Sequence, residues 1–255
     1  MRAHASARAE HVEGRTRLVE LRSEAPLVLR STPDALYLVG GAAGPLGGDD
    51  LALDLVVGCG ACLAVRSAAA TLAQPGSGSA PSRATLRFEV GDASTLDWHP
   101  EPLVSVRGSD HLVDTTVSLS RGARLNLIDE LVLGRAGEAP GRIRVHCRVA
   151  RDGTILLAHD LDLGPGSPGW DGAAVMGGAR ALISTLRVGP DAPTTASVIA
   201  EDGARAAWMP LAPEAALLLA IGPNLLATRR LARSAMGSVG VLQVSTPVEH
   251  QQNGV

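Results

Sequence analysis

Three groups of residues in this sequence have types and spacings that chemistry uses. The first is Gly40–Leu51, GGAAGPLGGDDL, which follows the apolar segment Ala35-Leu-Tyr-Leu-Val39 and ends in Asp49 and Asp50. A glycine-rich loop after a strand can cradle a phosphate on its backbone N–H groups when a helix opens behind it. The second is Cys59-Gly-Ala-Cys62, the spacing of a thiolate pair in a zinc site or a redox dithiol. The third is His99 and His111, which flank the acid-bearing stretch Asp97–Asp110.

Each group has a plainer reading. Behind the glycine loop, Leu51, Leu53, Leu55 and Val57 alternate with other residues, which is strand periodicity. A strand-loop-strand context leaves no helix N-terminus for a phosphate. The run then reads as a tight corner that needs positive φ, with Asp49 and Asp50 at the start of the next strand. The Cys59/Cys62 pair lacks companions, because Cys147 lies far off and no HxH or HxxxH occurs. It also falls on a strand turn, whereas a redox dithiol sits at a helix N-terminus. Lone histidines are usually surface or satisfied core residues. No GxSxG elbow is present, and all 23 basic residues are arginine. The absence of lysine excludes a P-loop lysine, a Schiff base and a kinase strand lysine. The residues by themselves do not support an enzyme.

Around these residues the chain reads mostly as strands. Ala84–Val90 buries Leu86, Phe88 and Val90. Arg142–Val149 buries Ile143, Val145, Cys147 and Val149 and turns Arg142, Arg144, His146 and Arg148 outward. Strand-turn-strand units recur with turns near Gly60, Asp92, Gly122 and Gly153, a period of about 30, and a fifth lies near Gly203. Stacked sheet layers are expected, with a β-sandwich as the alternative. Gln74–Ser82 reads as a loop. Helix is expected late, over Pro213–Ala220 and Asn224–Arg233, with Pro223 and Asn224 as break and cap. Residues before about 15 and after about Ser245 read as frayed, leaving one domain with an ordered core of about 15–240.

The 255 residues are 45% apolar but only 2% aromatic, so Leu, Val, Ile and Ala must fill the core. The net charge of −3 argues against nucleic acid or an anionic membrane as partner. No apolar run is long enough to cross a bilayer, and no secretory signal is visible. Three cysteines without framework spacing fit a reducing cytoplasm.

Four stretches, in matching order and spacing over residues 15–190, resemble the urease accessory protein UreD (UreH) family. They are Gly47-Gly48-Asp49-Asp50-Leu51; Asp97-Trp98-His99-Pro100-Glu101-Pro102; Gly122-Ala-Arg-Leu125 with Asp129-Glu-Leu-Val-Leu133-Gly134-Arg135; and Val57-Gly-Cys-Gly-Ala61 with the Ser67–Thr71 run. The third is similar to the family's acid-x-x-x-Leu-Gly-Arg signature and is the most specific. The chain departs from the family over Arg66–Gln74, where the usual lysine and tyrosine are missing, and in having the CxxC. It looks like a divergent member.

The resemblance implies a non-enzymatic scaffold in the cytoplasm, with no catalytic residues. It implies binding to UreF, which recruits the GTPase UreG, docking on urease apoprotein, and help with nickel delivery. A homodimer of that complex is one arrangement it allows. The implied fold is mostly β, a β-helix-like stack of repeated units with one or two short C-terminal helices. A proposed water-filled tunnel makes Asp49, Glu101 and Asp129 the matched candidates for a nickel route, with nickel(II) in transit and no tight metal site. Gly47, Gly48, Trp98, Pro100, Leu133, Gly134 and Arg135 are its structural motif residues. For each acid another role stays open: Asp49 as a turn cap, Glu101 as a solvated loop acid, Asp129 as the partner of Arg135 or another arginine. Two other functions also stay open, a metal-independent interaction module on urease and a small-molecule enzyme built on the glycine loop.

Overall fold

The computed structural model describes residues 1–237 and 249–250. These residues form a β-solenoid of about four turns with one helix among them. The first coil runs through β1 (Arg2–Val12), β2 (Arg15–Arg22), β3 (Leu27–Ser31) and β4 (Leu36–Gly40). The next runs through β5 (Asp50–Val57), β6 (Cys62–Ser67) and β7 (Thr71–Ala73), and the next through β8 (Ser82–Val90), β9 (Thr95–Trp98) and β10 (Leu103–Ser105). Then come β11 (Asp110–Leu119) and β12 (Arg124–Leu133), followed by β13 (Arg142–Arg151) and β14 (Thr154–Leu163). An antiparallel layer completes the body: β15 (Ala181–Val188), β16 (Ser197–Glu201), β17 (Ala204–Ala212) and β18 (Ala215–Gly222), with helix α1 (Leu225–Gly237) and a last short strand, β19 (Glu249–His250).

The repeat is a register. In one sheet β1, β5, β8, β11 and β13 stack in parallel, with Asp50 beside Arg83, Arg83 beside Leu112 and Asp110 beside Arg142. In the facing sheet β4, β6, β9 and β12 do the same. The corners that join the two sheets stack as well. Gly58 N–H donates to Ala9, Gly91 N–H to Val57, and Ser120 N–H to Val90. Asp92 locks three corners together, since its carbonyl accepts from Gly60 N–H and its carboxylate from Gly122 N–H, at 2.9 and 2.8 Å. Between the sheets lie Leu53, Leu55, Leu63, Leu96, Leu125 and other aliphatics. Phe88 and Trp98 meet there with ring centroids 4.8 Å apart.

Four expectations need correction. The turn at Gly153 joins β13 to β14 and the turn at Gly203 joins β16 to β17, and both make antiparallel hairpins, not coil corners. Asp152-Gly153 and Asp202-Gly203 have φ of 47° and 77°, and 50° and 74°, the two left-handed residues of a type I′ hairpin. Residues 2–12 are not frayed. They form β1, which pairs with both β2 and β5 and buries Ala3, Ala5, Ala7 and Ala9. Alanine carries little strand preference of its own, so this strand is held by its neighbours. Third, Pro213–Ala220 is not helical. Ala215–Gly222 is a strand between β15 and β17, covered on both faces, and such an apolar run reads like a buried helix in sequence. Fourth, the late helix starts as expected but extends beyond Arg233 to Gly237. Asn224 caps it by accepting from Ala227 N–H at 2.9 Å. The stretch from Ser245 lies outside the described residues except for Glu249 and His250.

Candidate functional site

The glycine loop between β4 and β5 is a corner, as its strand-loop-strand setting predicts. Gly48 has φ of +88°, and Gly47 lies so close to Gly76 that a Cβ at Gly47 would stand 2.6 Å from the Gly76 nitrogen. Asp49 is buried within the corner. Its carboxylate accepts from Leu46 N–H at 2.8 Å and pairs with the amino group of Met1 at 2.7 Å. Burial works to raise its pKa, but these two donors outweigh it and hold the carboxyl below its ordinary value. Asp49 therefore ties a turn to the first strand.

The segment His99-Pro-Glu-Pro102 interrupts the facing sheet. Trp98 pairs with Leu127 of β12, and Leu103 pairs with Leu131. Between these pairs Ile128, Asp129 and Glu130 stand opposite four residues, His99 to Pro102. The two prolines have no N–H to give to a ladder. His99 N–H and Glu101 N–H turn instead to Val65 and Ser67 of the preceding coil. The result is a break in the sheet beside the middle of β12.

Behind that break lies a cavity of about 60 Å³, several times the space a single water requires. Glu101 and Glu130 line it on the outer side, where Glu101 is exposed. Asp129, Cys147, His159 and Ser184 line it within, among leucines and valines. The register explains the grouping. Asp129 is paired with Ser184 on one sheet, and Cys147 is paired with His159 on the other. Period-two alternation sends all four side chains into the space between the sheets.

Electrostatics separates the acids. Asp129 lines the cavity, and burial pushes its pKa up; the Trp98 hydrogen bond and His99 offset only part of this. Trp98 Nε1 donates to Asp129 Oδ1 at 3.0 Å. Burial, with the nearby Asp129 charge, pushes the Cys147 thiol up to about 12. Burial lowers the pKa of His159, with Asp160 opposing. Glu130, on the outer face of β12, is also buried, yet His99 and Arg229 hold its carboxyl below the ordinary range. Arg229 of α1 reaches Glu130 at 2.6–3.0 Å and Glu101 at 3.1 Å, and His99 Nε2 lies 3.7 Å from Glu130.

The fold thus brings Glu101 and Asp129 to one cavity and leaves Asp49 out of it. Pro100 lines the cavity and Trp98 orients Asp129. Arg135 pairs with Glu138 at 2.8 Å and not with Asp129. Gly134, with φ of +76°, packs against the Glu138 carbonyl, and Leu133 is core. Cys59 and Cys62 flank the corner between β5 and β6, exposed and half-buried respectively. Among the described residues no three His, Cys, Asp or Glu side chains gather as a metal-ligating group. Sequence reading missed Glu130, Ser184, His159 and Arg229 as site residues. The strand alternation that exposes Asp129 to the interior gave a signal for Ser184 and His159, and none existed for Arg229, which arrives through tertiary packing of α1.

The family model of the UreD urease accessory protein matches residues 1–241. The chain is 44% identical to a urease accessory protein UreD of Frankia casuarinae, over 90% of this chain and 87% of the relative. It is likewise 44% identical to one of Streptomyces coelicolor over 89% and 91%, and 40% identical to urease accessory protein UreD 2 of Saccharopolyspora erythraea over 91% and 87%. On this match, which spans nearly the whole described chain, the protein belongs to the UreD family of urease accessory proteins.

Proposed function

We propose that the protein serves urease maturation as a non-catalytic scaffold that docks with UreF and UreG on urease apoprotein and gives nickel(II) a route through its interior. Family membership supports the role in urease maturation. The observation that carries the finer reading is the cavity. It joins a surface carboxylate, Glu101, to an interior carboxylate, Asp129, through a break in the sheet. Carboxylate, imidazole and water oxygen suit nickel(II), and a route needs donors that let go. Single donors spaced along a wet space meet that need better than a cage does.

One observation favours a second reading, a docking module without metal. Both rim carboxylates are already paired with Arg229. The test is a pull-down of urease apoprotein, UreF and UreG, with and without GTP, using wild type and Asp129→Asn, with nickel per urease site measured by elemental analysis. The route predicts an intact complex and lowered nickel for Asp129→Asn. Intact complex with unchanged nickel supports the docking module instead.

A further inference from the structure

We propose that Arg229 is a removable plug, its guanidinium standing at the break in the sheet and occupying the two carboxylates, Glu101 and Glu130, that a cation entering the cavity would otherwise meet. The proposal rests on the reading of the cavity as a cation's route and names the control of its entrance. Three observations carry it. First, Glu101 and Glu130 both line the cavity, and both bind the same guanidinium, Glu130 through two nitrogens and Glu101 through one. Second, the arginine comes from a different element. It projects from α1, which is anchored separately: Leu231, Ala232 and Ala235 pack in a cluster with Ile128 of β12 and the antiparallel layer, and Trp208 Nε1 donates to the Ala235 carbonyl. A swing of this part-exposed side chain into solvent would withdraw the charge without moving α1 or the solenoid. Third, the side chains differ in exposure as a plug requires: Glu130 is 4% exposed, Arg229 28% and Glu101 48%. The arginine bridges from solvent to the interior acid. With it in place the rim carries one net negative charge from three groups. With it gone the rim carries two, and the local field favours a divalent cation.

Cys147 supplies a reporter, because it lines the same cavity. In the full chain with Cys59→Ala and Cys62→Ala it is the remaining cysteine. Silver ion in a chloride-free nitrate buffer is a small cation that replaces the thiol proton, forming a sulfur–silver bond and releasing the proton to buffer. Uptake is followed over time by native mass spectrometry. Arg229→Gln is expected to speed uptake about tenfold, the scale of one unit charge a few ångströms from the path in a partly hydrated site. Adding Glu101→Gln and Glu130→Gln to Arg229→Gln is expected to bring the rate down to that of wild type or below it, because the rim is then neutral whereas the wild-type rim carries one negative charge. A loosened fold would keep the triple variant fast, and that result overturns the plug, as does an unchanged rate in Arg229→Gln. Should Arg229→Gln strand Glu130 and fail to fold, Arg229→Gln with Glu130→Gln leaves Glu101 as the rim charge, and the same comparison holds against the triple variant. Urease takes no part in this measurement, so its failure removes the plug and leaves the nickel route to be judged by nickel per urease site.

Discussion

Trp98 and Asp129 come from successive coils, and the indole Nε1 of one donates to the carboxylate of the other at 3.0 Å inside the solenoid. Burial raises the Asp129 pKa, so the folded protein holds that proton more tightly than the unfolded chain. Stability from this group is therefore present at low pH and lost as pH rises through the unfolded value toward the folded one. Asp129→Asn keeps an acceptor for Trp98 and removes the charge. Urea unfolding at pH 7 should show it as stable as wild type or more so. Asp129→Leu should lose roughly 1–3 kcal/mol by leaving the indole N–H unpaired. A strongly destabilised Asp129→Asn would show that the ionised carboxylate holds the fold together.

His111 gives the opposite slope. Its ring is 1% exposed, Nδ1 lies 2.8 Å from Ser82 Oγ, and burial lowers its pKa to about 4, with Arg144 assisting and Asp110 opposing. The unfolded ring takes a proton near 6.5, which the folded one refuses. Stability is then lost as pH falls from about 6.5 toward about 4, on the order of 3 kcal/mol from this ring. His111→Gln should flatten that limb in urea midpoints compared at pH 7.5 and 4.5. Parallel losses in variant and wild type would show that other groups set it.

Asp49 separates two roles that sequence reading left joined. It closes the glycine corner and does not touch the cavity. Asp49→Ala should cost roughly 1–3 kcal/mol through the hydrogen bonds it removes. Nickel per urease site should be unchanged in whatever complex is recovered. A stable Asp49→Ala complex with low nickel would return Asp49 to the route.

The coils were legible because each strand repeats its alternation about one coil later, as Leu53, Leu86 and Thr115 do when they stand side by side. The turns at Gly153 and Gly203 misled because they share a glycine with the corners. The Asp-Gly pair that marks a two-residue hairpin was there to distinguish them. The helix reading of Pro213–Ala220 failed where a strand is covered on both faces, since burial on both sides erases alternation. Asp129, which the structure places at the cavity, was legible as a candidate because its signature is local. Its surroundings were not, because Ser184 and His159 reach it across the sheets and Arg229 lies a hundred residues downstream of it.

Ser184 offers the most direct test of the interior space. It stands beside Asp129 in the β12–β15 ladder, is half-buried, and faces the cavity. Ser184→Leu would replace the hydroxyl oxygen with three carbons, a net gain of two heavy atoms, in a space of about 60 Å³ lined largely by leucine and valine. Filling such a void gains about 0.8 kcal/mol for each buried methylene when the side chain fits, and overpacking loses about 1–3 kcal/mol. The variant should therefore fold with stability close to wild type and, under the proposed scaffold role, be recovered with urease apoprotein to the same extent. Water and a passing cation would lose their room between Asp129 and Cys147. If nickel travels here, nickel per urease site falls although the complex is intact and every carboxylate remains. If nickel per site is unchanged in the assembled complex, the cavity is not the path, and the protein's part in maturation lies in docking alone.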